Sequence, residues 1–208
     1  PRSKPLLRGI YCRPICRPSS SAGIESLNTV RIIGGEWRRR LLRFPDGEGL
    51  RPTPDRVRET LFNWLGQDLH GWTCLDLFAG SGALGFEAAS RGAASVLLVD
   101  RLPAVVAALQ NNARLLDSDG RLRIVRADAV RFVRSTTARF DLLFLDPPFH
   151  QGWFDKLAGC VAGLLKEDGL IYAESERVLD ACGPWRSVRR DRAGQVYYHL
   201  LRRDTDAP

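Results

Sequence analysis

No apolar run in this chain of 208 residues approaches the roughly 18 to 20 needed to span a bilayer. The early Leu6–Leu7 pair is too short for the core of a signal peptide, so the sequence predicts a soluble, cytoplasmic protein. Cysteine is sparse. Cys12, Cys16, Cys74, Cys160 and Cys182 form an odd, scattered set, which excludes the dense, even framework of a small secreted scaffold and predicts free thiols in a reducing compartment. Cys12 and Cys16 lack a second Cys/His pair at zinc-ligand spacing, so no metal is expected. His70, His150 and His199 have no partner pattern that implies catalysis. Hydrophobic residues at 44% and charged residues at 26% instead fit a globular chain able to bury a core, which argues against wholesale disorder and collagen-like repetition.

Acidic residues are scarce in one region only. Residues 1–60 carry 13 Lys and Arg against 6 Asp and Glu, whereas the remainder carries 18 of each. The whole excess of +7 therefore sits in a basic arm on a neutral body, the pattern of a polyanion-binding appendage. Residues 1–28 are rich in proline and serine without apolar periodicity and are expected to be a disordered tail; an Arg- and Ser-rich transit peptide over residues 1–25 is the competing reading. Residues 29–48 read as an arginine-rich hairpin, two strands around the Gly34-Gly35 turn. Arg31, Arg38, Arg39, Arg40 and Arg43 surround Trp37, a mixture suited to gripping phosphates while the ring stacks on a base or packs on the body. A charged edge strand that only resists aggregation is the alternative.

Residues 49–208 read as the main domain. Thr53 is a candidate N-cap and Pro54 a first helical residue for a helix running to about His70. Short apolar runs then alternate with helical stretches, as in a parallel sheet covered on both faces. Strands are expected at 74–78, 95–99, 122–125, 140–145 and 170–173, with helices near 83–91, 103–116, 128–136 and 151–165. The runs at 185–190 and 195–202 leave no room for a helix between them and predict a final antiparallel hairpin.

Cys74-Leu-Asp-Leu-Phe-Ala-Gly-Ser-Gly-Ala-Leu-Gly85 places Gly80, Gly82 and Gly85 in G-x-G-x-x-G register between a strand and a helix, with Phe78 inside the loop. Such a loop permits close approach of a nucleotide. Asp100, at the end of the next strand, can accept both hydroxyls of a ribose. Asp76 would repel a pyrophosphate but suits the ammonium of an amino-acid ligand, which favours S-adenosyl-L-methionine over a nicotinamide dinucleotide. Asp128 and the Ala129 N–H, after the third strand, can read an adenine; a helix cap is the equal alternative for Asp128.

Phe140-Asp-Leu-Leu-Phe-Leu-Asp-Pro-Pro-Phe149 then ends a buried strand at the carboxyl edge, where ligands of open α/β sheets bind. An exocyclic amine on a nucleobase is a poor nucleophile because its lone pair is delocalised. Hydrogen bonds to the Asp146 carboxylate and the Pro147 carbonyl would localise and aim that pair, with Phe149 stacked on the extruded base. Asp146 need not be a strong base, since the amine turns acidic once methylated.

These segments, with Arg31-Ile-Ile-Gly-Gly-Glu-Trp-Arg38 and Leu50-Arg-Pro-Thr-Pro-Asp-Arg-Val-Arg-Glu-Thr-Leu-Phe-Asn-Trp64, closely resemble the ribosomal small-subunit methyltransferase D family. The resemblance spans about residues 30–203, including Tyr172–Glu176 and Ala193–Val196, and leaves the tail unmatched. It implies a Rossmann-like, class I S-adenosyl-L-methionine-dependent fold: a seven-stranded, mostly parallel α/β sheet with a C-terminal antiparallel hairpin and an N-terminal β-hairpin. It also implies transfer of methyl to a guanine N2 in 16S rRNA, free or in the assembling 30S subunit, by a monomer without metal, and makes Thr53 a cofactor contact. An adenine-N6 methyltransferase of DNA and a nicotinamide-dependent oxidoreductase are the rival functions.

Overall fold

The computed structural model describes residues 27–47, 50–116 and 119–204. The expected tail, with Cys12 and Cys16, lies outside them except for its last two residues, and Asn28 already belongs to a strand.

Strands β1 (Asn28–Arg31) and β2 (Leu41–Phe44) pair antiparallel, with Asn28 opposite Phe44. They are shorter than the sequence suggested, because Gly34-Gly35 is not a two-residue turn. The ladder ends where the Ile32 N–H donates to the Arg40 carbonyl at 2.9 Å, and the chain between forms a longer loop. That loop is anchored on helix α2 (Ala83–Ser90). A Cβ on Gly35, whose φ is +74°, would lie 1.9 Å from the Ser90 carbonyl oxygen, so only glycine permits the approach.

Helix α1 (Asp55–Leu65) buries Val57, Leu61, Phe62 and Leu65 on one stripe and stops at Gly66 in the left-handed conformation. It begins without a side-chain cap. Pro54 occupies the cap position, and Thr53 spends its hydroxyl elsewhere.

The main sheet runs β5-β4-β3-β6-β7-β10-β9-β8. Strands β3 (Thr73–Asp76), β4 (Ser95–Asp100), β5 (Leu122–Arg126), β6 (Phe140–Leu145) and β7 (Leu165–Ser175) are parallel; β9 (Trp185–Ala193) and β10 (Val196–Arg203) close the sheet antiparallel. The two-residue β8 (Ala181–Cys182) adds an eighth, edge member to the seven expected. Helices α3 (Pro103–Leu116), α4 (Ala129–Ser135) and α5 (Trp153–Val161) complete the crossovers.

Period-two alternation divides the core. Cys74, Leu142, Phe144 and Tyr172 face α1, α2, α3 and the N-terminal hairpin, whereas Leu75, Leu143, Leu145 and Ala173 face α4 and α5. Val30, Ile32, Trp37 and Leu42 share the first of these cores, so the hairpin packs as part of the body. The sheet order reverses between β3 and β6, and that switch point opens a crevice at the carboxyl edge.

Candidate methyl-transfer site

The glycine loop is built for close packing. A Cβ on Gly85 would lie 2.9 Å from Leu98 Cδ2 and 3.2 Å from Asp76 Oδ2, and one on Gly82, where φ is +80°, would strike Leu109 at 2.6 Å. These glycines let the start of α2 press against the strand ends. Gly80 differs: its missing Cβ would meet only the Phe78 carbonyl oxygen, at 3.8 Å, so it faces open space. Two of the loop's N–H groups are taken by carboxylates. Gly85 donates to Asp76 Oδ2 at 3.1 Å and Gly80 to Asp100 Oδ2 at 3.0 Å. A pyrophosphate would have to displace both carboxylates, so the loop disfavours a dinucleotide. Asp100 also accepts the Leu102 N–H at 2.8 Å, yet a carboxylate offers about four lone-pair positions and keeps capacity for hydroxyl donors.

Asp146 stands at the switch point, one residue beyond β6. Leu145 pairs with Ala173 in the parallel ladder, so Asp146 is the neighbour of Glu174 on the α1 face, with Asp76 one strand away. Three carboxyls thus converge. Glu174 is buried and accepts the Thr53 and Tyr172 hydroxyls, each at 2.8 Å. Burial lifts Glu174 above the usual carboxylate range, partly offset by those two donors. Burial, reinforced by the charge of Asp100 and opposed by the Gly85 and Phe78 N–H groups, raises Asp76 to about 7. Asp146 is held well above the ordinary range, first by desolvation and then by repulsion from Glu174 and Asp76. Neither a hydrogen bond nor a cation among the described residues relieves it. An acidic corner without a compensating lysine or arginine fits ligands that bring positive charge or N–H donors.

Pro147 is buried, and Phe149 and Phe78 are half-buried. Phe78 meets the Trp153 ring edge-on at 5.0 Å between centroids. Asp128 accepts the Arg131 N–H at 3.0 Å and so does cap α4, one of the two roles its position allowed. Ala129, as the first helical residue, has an N–H without an intrahelical acceptor. Thr53 is buried, and its hydroxyl is committed to Glu174 rather than to a helix cap.

The basic hairpin differs from its expected form. Trp37 is 4% exposed and lies beneath the Arg121 guanidinium at 4.7 Å, so its ring packs on the body and is not available to stack on a base. Arg31 pairs with Asp55 at 3.2 Å, and Arg40 donates to the Leu115 carbonyl at 2.9 Å. Arg38 and Arg39 are exposed in the loop, with no side-chain partner among the described residues, and can meet an anion.

Two residues escaped the sequence reading. Glu174 was signalled by an acid inside the apolar run Leu170-Ile-Tyr-Ala-Glu-Ser175. Glu87 is fully buried in α2, where it accepts from the Ile33 and Gly34 N–H groups, both at 2.8 Å, and from Arg58 and Arg91. Only its spacing of four from Arg91 hinted at a role.

Among known proteins, the family model described as "Conserved hypothetical protein 95" matches residues 30–202. Ribosomal RNA small subunit methyltransferase D of Escherichia coli is 43% identical over 180 residues, covering 84% of this chain and 90% of that one. Its Haemophilus influenzae namesake is 40% identical, with 82% and 92% covered. The solved structure of Escherichia coli yhhF superposes with a TM-score of 0.77 at 43% identity, covering 85% of this chain and 99% of that one. With the fold, the glycine loop and the acidic corner all in place, these matches make the chain a member of the ribosomal RNA small subunit methyltransferase D family.

Proposed function

We propose that this protein transfers the methyl group of S-adenosyl-L-methionine to the exocyclic N2 amine of a guanine in 16S rRNA, free or within an assembling small subunit. The observation that carries this reading is the Asp146 carboxyl, which has no donor among the described residues and stands at the switch point beside Asp76 and Glu174. A carboxyl so placed awaits a donor from the substrate.

The residues present suit the cofactor. Asp100 retains lone pairs that would take the ribose hydroxyls, Asp76 would take the amino-acid ammonium, Gly80 leaves space for close approach, and the Ala129 N–H would suit an adenine ring nitrogen. Asp128 keeps its second oxygen for the adenine amine while the first caps α4. When bound, S-adenosyl-L-methionine supplies an electrophilic methyl group on a sulfonium sulfur.

The protein's part is positioning and electrostatics. Asp146 and the Pro147 carbonyl accept the two amine hydrogens, which localises the nitrogen lone pair and points it at the methyl carbon. Proline at 147 and 148 fixes φ and removes N–H donors that would compete for the same acceptors. Phe149 stacks on the extruded base, whose unstacking the complex must offset. As the N–C bond forms and the C–S bond breaks, the nitrogen becomes acidic. Asp146, already held above the ordinary carboxylate range, is suited to receive the proton. Arg38 and Arg39 hold rRNA phosphates at the hairpin.

Mass spectrometry of 16S rRNA from cells lacking this protein, with and without its return, tests the reading. One N2-methylguanine should disappear and reappear. Unaltered rRNA, with methyl incorporation into duplex DNA instead, would favour an adenine-N6 enzyme.

A further inference from the structure

A cavity of about 400 Å³ opens beside the acidic corner, lined among others by Pro147, Pro148, His150, Gln151, Trp153 and Glu176. Its size falls in the range of small-ligand pockets. Its walls are held in place. The Trp153 Nε1–H donates to Gln151 Oε1 at 3.2 Å, and the ring is braced by the edge contact with Phe78. His150 adopts φ +61°, and its N–H donates to Glu176 Oε1 at 3.3 Å, with His150 Nδ1 3.9 Å from the same oxygen.

Glu176 is a carboxylate of this cavity that the chemistry above leaves unused; the other carboxylate of the lining, Asp155, lies 3.7 Å from the Arg177 guanidinium. Glu176 follows directly on the end of β7, two residues beyond Glu174 in sequence, and lines the cavity. Its side chain is 35% exposed, and its second oxygen, Oε2, has no protein donor among the described residues. A guanine whose amine rests on Asp146 and Pro147 has two ring nitrogens beside that amine, N1 with a hydrogen and N3 with a lone pair, and only its N1 edge offers a donor to a carboxylate in this cavity. In adenine the ring nitrogen beside the amine carries a lone pair. A carboxylate here attracts the guanine N1–H and repels the adenine lone pair.

We propose that Glu176 is a specificity-determining residue: its carboxylate accepts the N1–H of a guanine seated in this cavity with the N2 amine on Asp146 and Pro147. The assignment rests on the guanine-N2 reading above and adds the group that distinguishes guanine from other amine-bearing bases. 2-Aminopurine retains the 2-amino group while N1 loses its hydrogen and C6 its oxygen, so the contact at N1 is isolated by how the preference between the two bases changes when Glu176 is replaced.

Once the methylated nucleotide is mapped, two rRNAs are prepared that carry guanosine or 2-aminopurine riboside at that position. The wild-type protein should show kcat/KM lower on the 2-aminopurine RNA by roughly 10- to 150-fold, the value of one hydrogen bond to a charged acceptor. Glu176→Gln should lose a similar factor on the guanosine RNA, and its amide N–H can meet the bare N1, so the preference should shrink to within about threefold. Calorimetry with S-adenosyl-L-homocysteine should show unchanged affinity in the variant. Equal losses on both RNAs would mean that Glu176 only holds the loop through the His150 N–H, and would overturn the assignment. So would a wild-type protein indifferent to the two RNAs. A wild-type protein inactive on the guanosine RNA itself would bring down the guanine reading, and this assignment with it.

Discussion

Replacing Glu87 with glutamine removes one charge and one acceptor from a fully buried junction. Its Oε2 serves the Ile33 N–H and Arg58 Nη1 (3.3 Å), and its Oε1 serves the Gly34 N–H and Arg91 Nε (2.9 Å). Whichever way the amide turns, its NH2 faces one main-chain N–H and one guanidinium, leaving donors against donors; Arg58 keeps only Asp55, at 2.6 Å, as a counter-charge, and Arg91 loses the carboxylate it pairs with. Arg58 has no exposed surface, so water cannot step in. Breaking a buried pair in this manner costs about 3–5 kcal/mol, a large part of the roughly 5–15 kcal/mol that holds a domain folded. With a urea m-value of about 2–3 kcal/mol/M, the unfolding midpoint of Glu87→Gln should fall by roughly 1–2.5 M. Urea titration followed by tryptophan fluorescence reads this. Hydrogen exchange should show the Ile33 and Gly34 amides losing protection, because they tie the basic hairpin to α2 through this carboxylate. A midpoint within about 0.3 M of wild type, with both amides still protected, would refute the reasoning.

Three further outcomes follow from the site. Between about pH 4 and 7 the folded protein keeps a proton on Asp76 that the unfolded chain has released, so this group's contribution to ligand-free stability falls as pH rises through that window, with the raised Asp146 and Glu174 carboxyls acting in the same direction. Affinity for S-adenosyl-L-homocysteine should rise over the same window, by up to about tenfold per pH unit, and Asp76→Asn should flatten the slope; calorimetry showing constant wild-type affinity from pH 5 to 8 would count against the ammonium contact. Asp100→Ala removes the ribose acceptor and frees the Gly80 N–H, so cofactor affinity should drop about tenfold to a hundredfold, and unchanged binding would reject the role. Replacing Arg38 and Arg39 together with alanine should reduce the magnitude of the salt slope of rRNA binding by about 1.5, whereas an identical slope would remove the hairpin from the RNA interface.

What the sequence could reveal depended on how local the cause was. The strand at 140–145 and the helix at 103–116 are bounded as their apolar patterns predict, since each alternation records one buried face. The glycine loop and the Asp-Pro-Pro corner were legible for the same reason, their residues being contiguous. The fate of Trp37 was not: whether an aromatic among arginines meets a base or the core depends on Arg121, 84 positions away. Thr53 looked like a cap because only its neighbours were visible, while its partner Glu174 lies 121 residues on. The turn at Gly34-Gly35 was misjudged because the competing acceptors for its N–H groups, on Glu87 and Ser90, come from a helix the hairpin signal does not contain. Glu174 became significant only when the ladder placed it beside Asp146.

The central claim is that Asp146 orients the reacting amine, and single-turnover methyl transfer by Asp146→Ala tests it most directly. With 16S rRNA and radiolabelled S-adenosyl-L-methionine, the rate should fall by roughly 10²- to 10³-fold, as when one preorganised polar contact to a reacting group is removed. Affinity for S-adenosyl-L-homocysteine should stay within a few-fold of wild type. Methyl transfer at the wild-type rate, or a loss explained wholly by failed cofactor binding, would contradict the account.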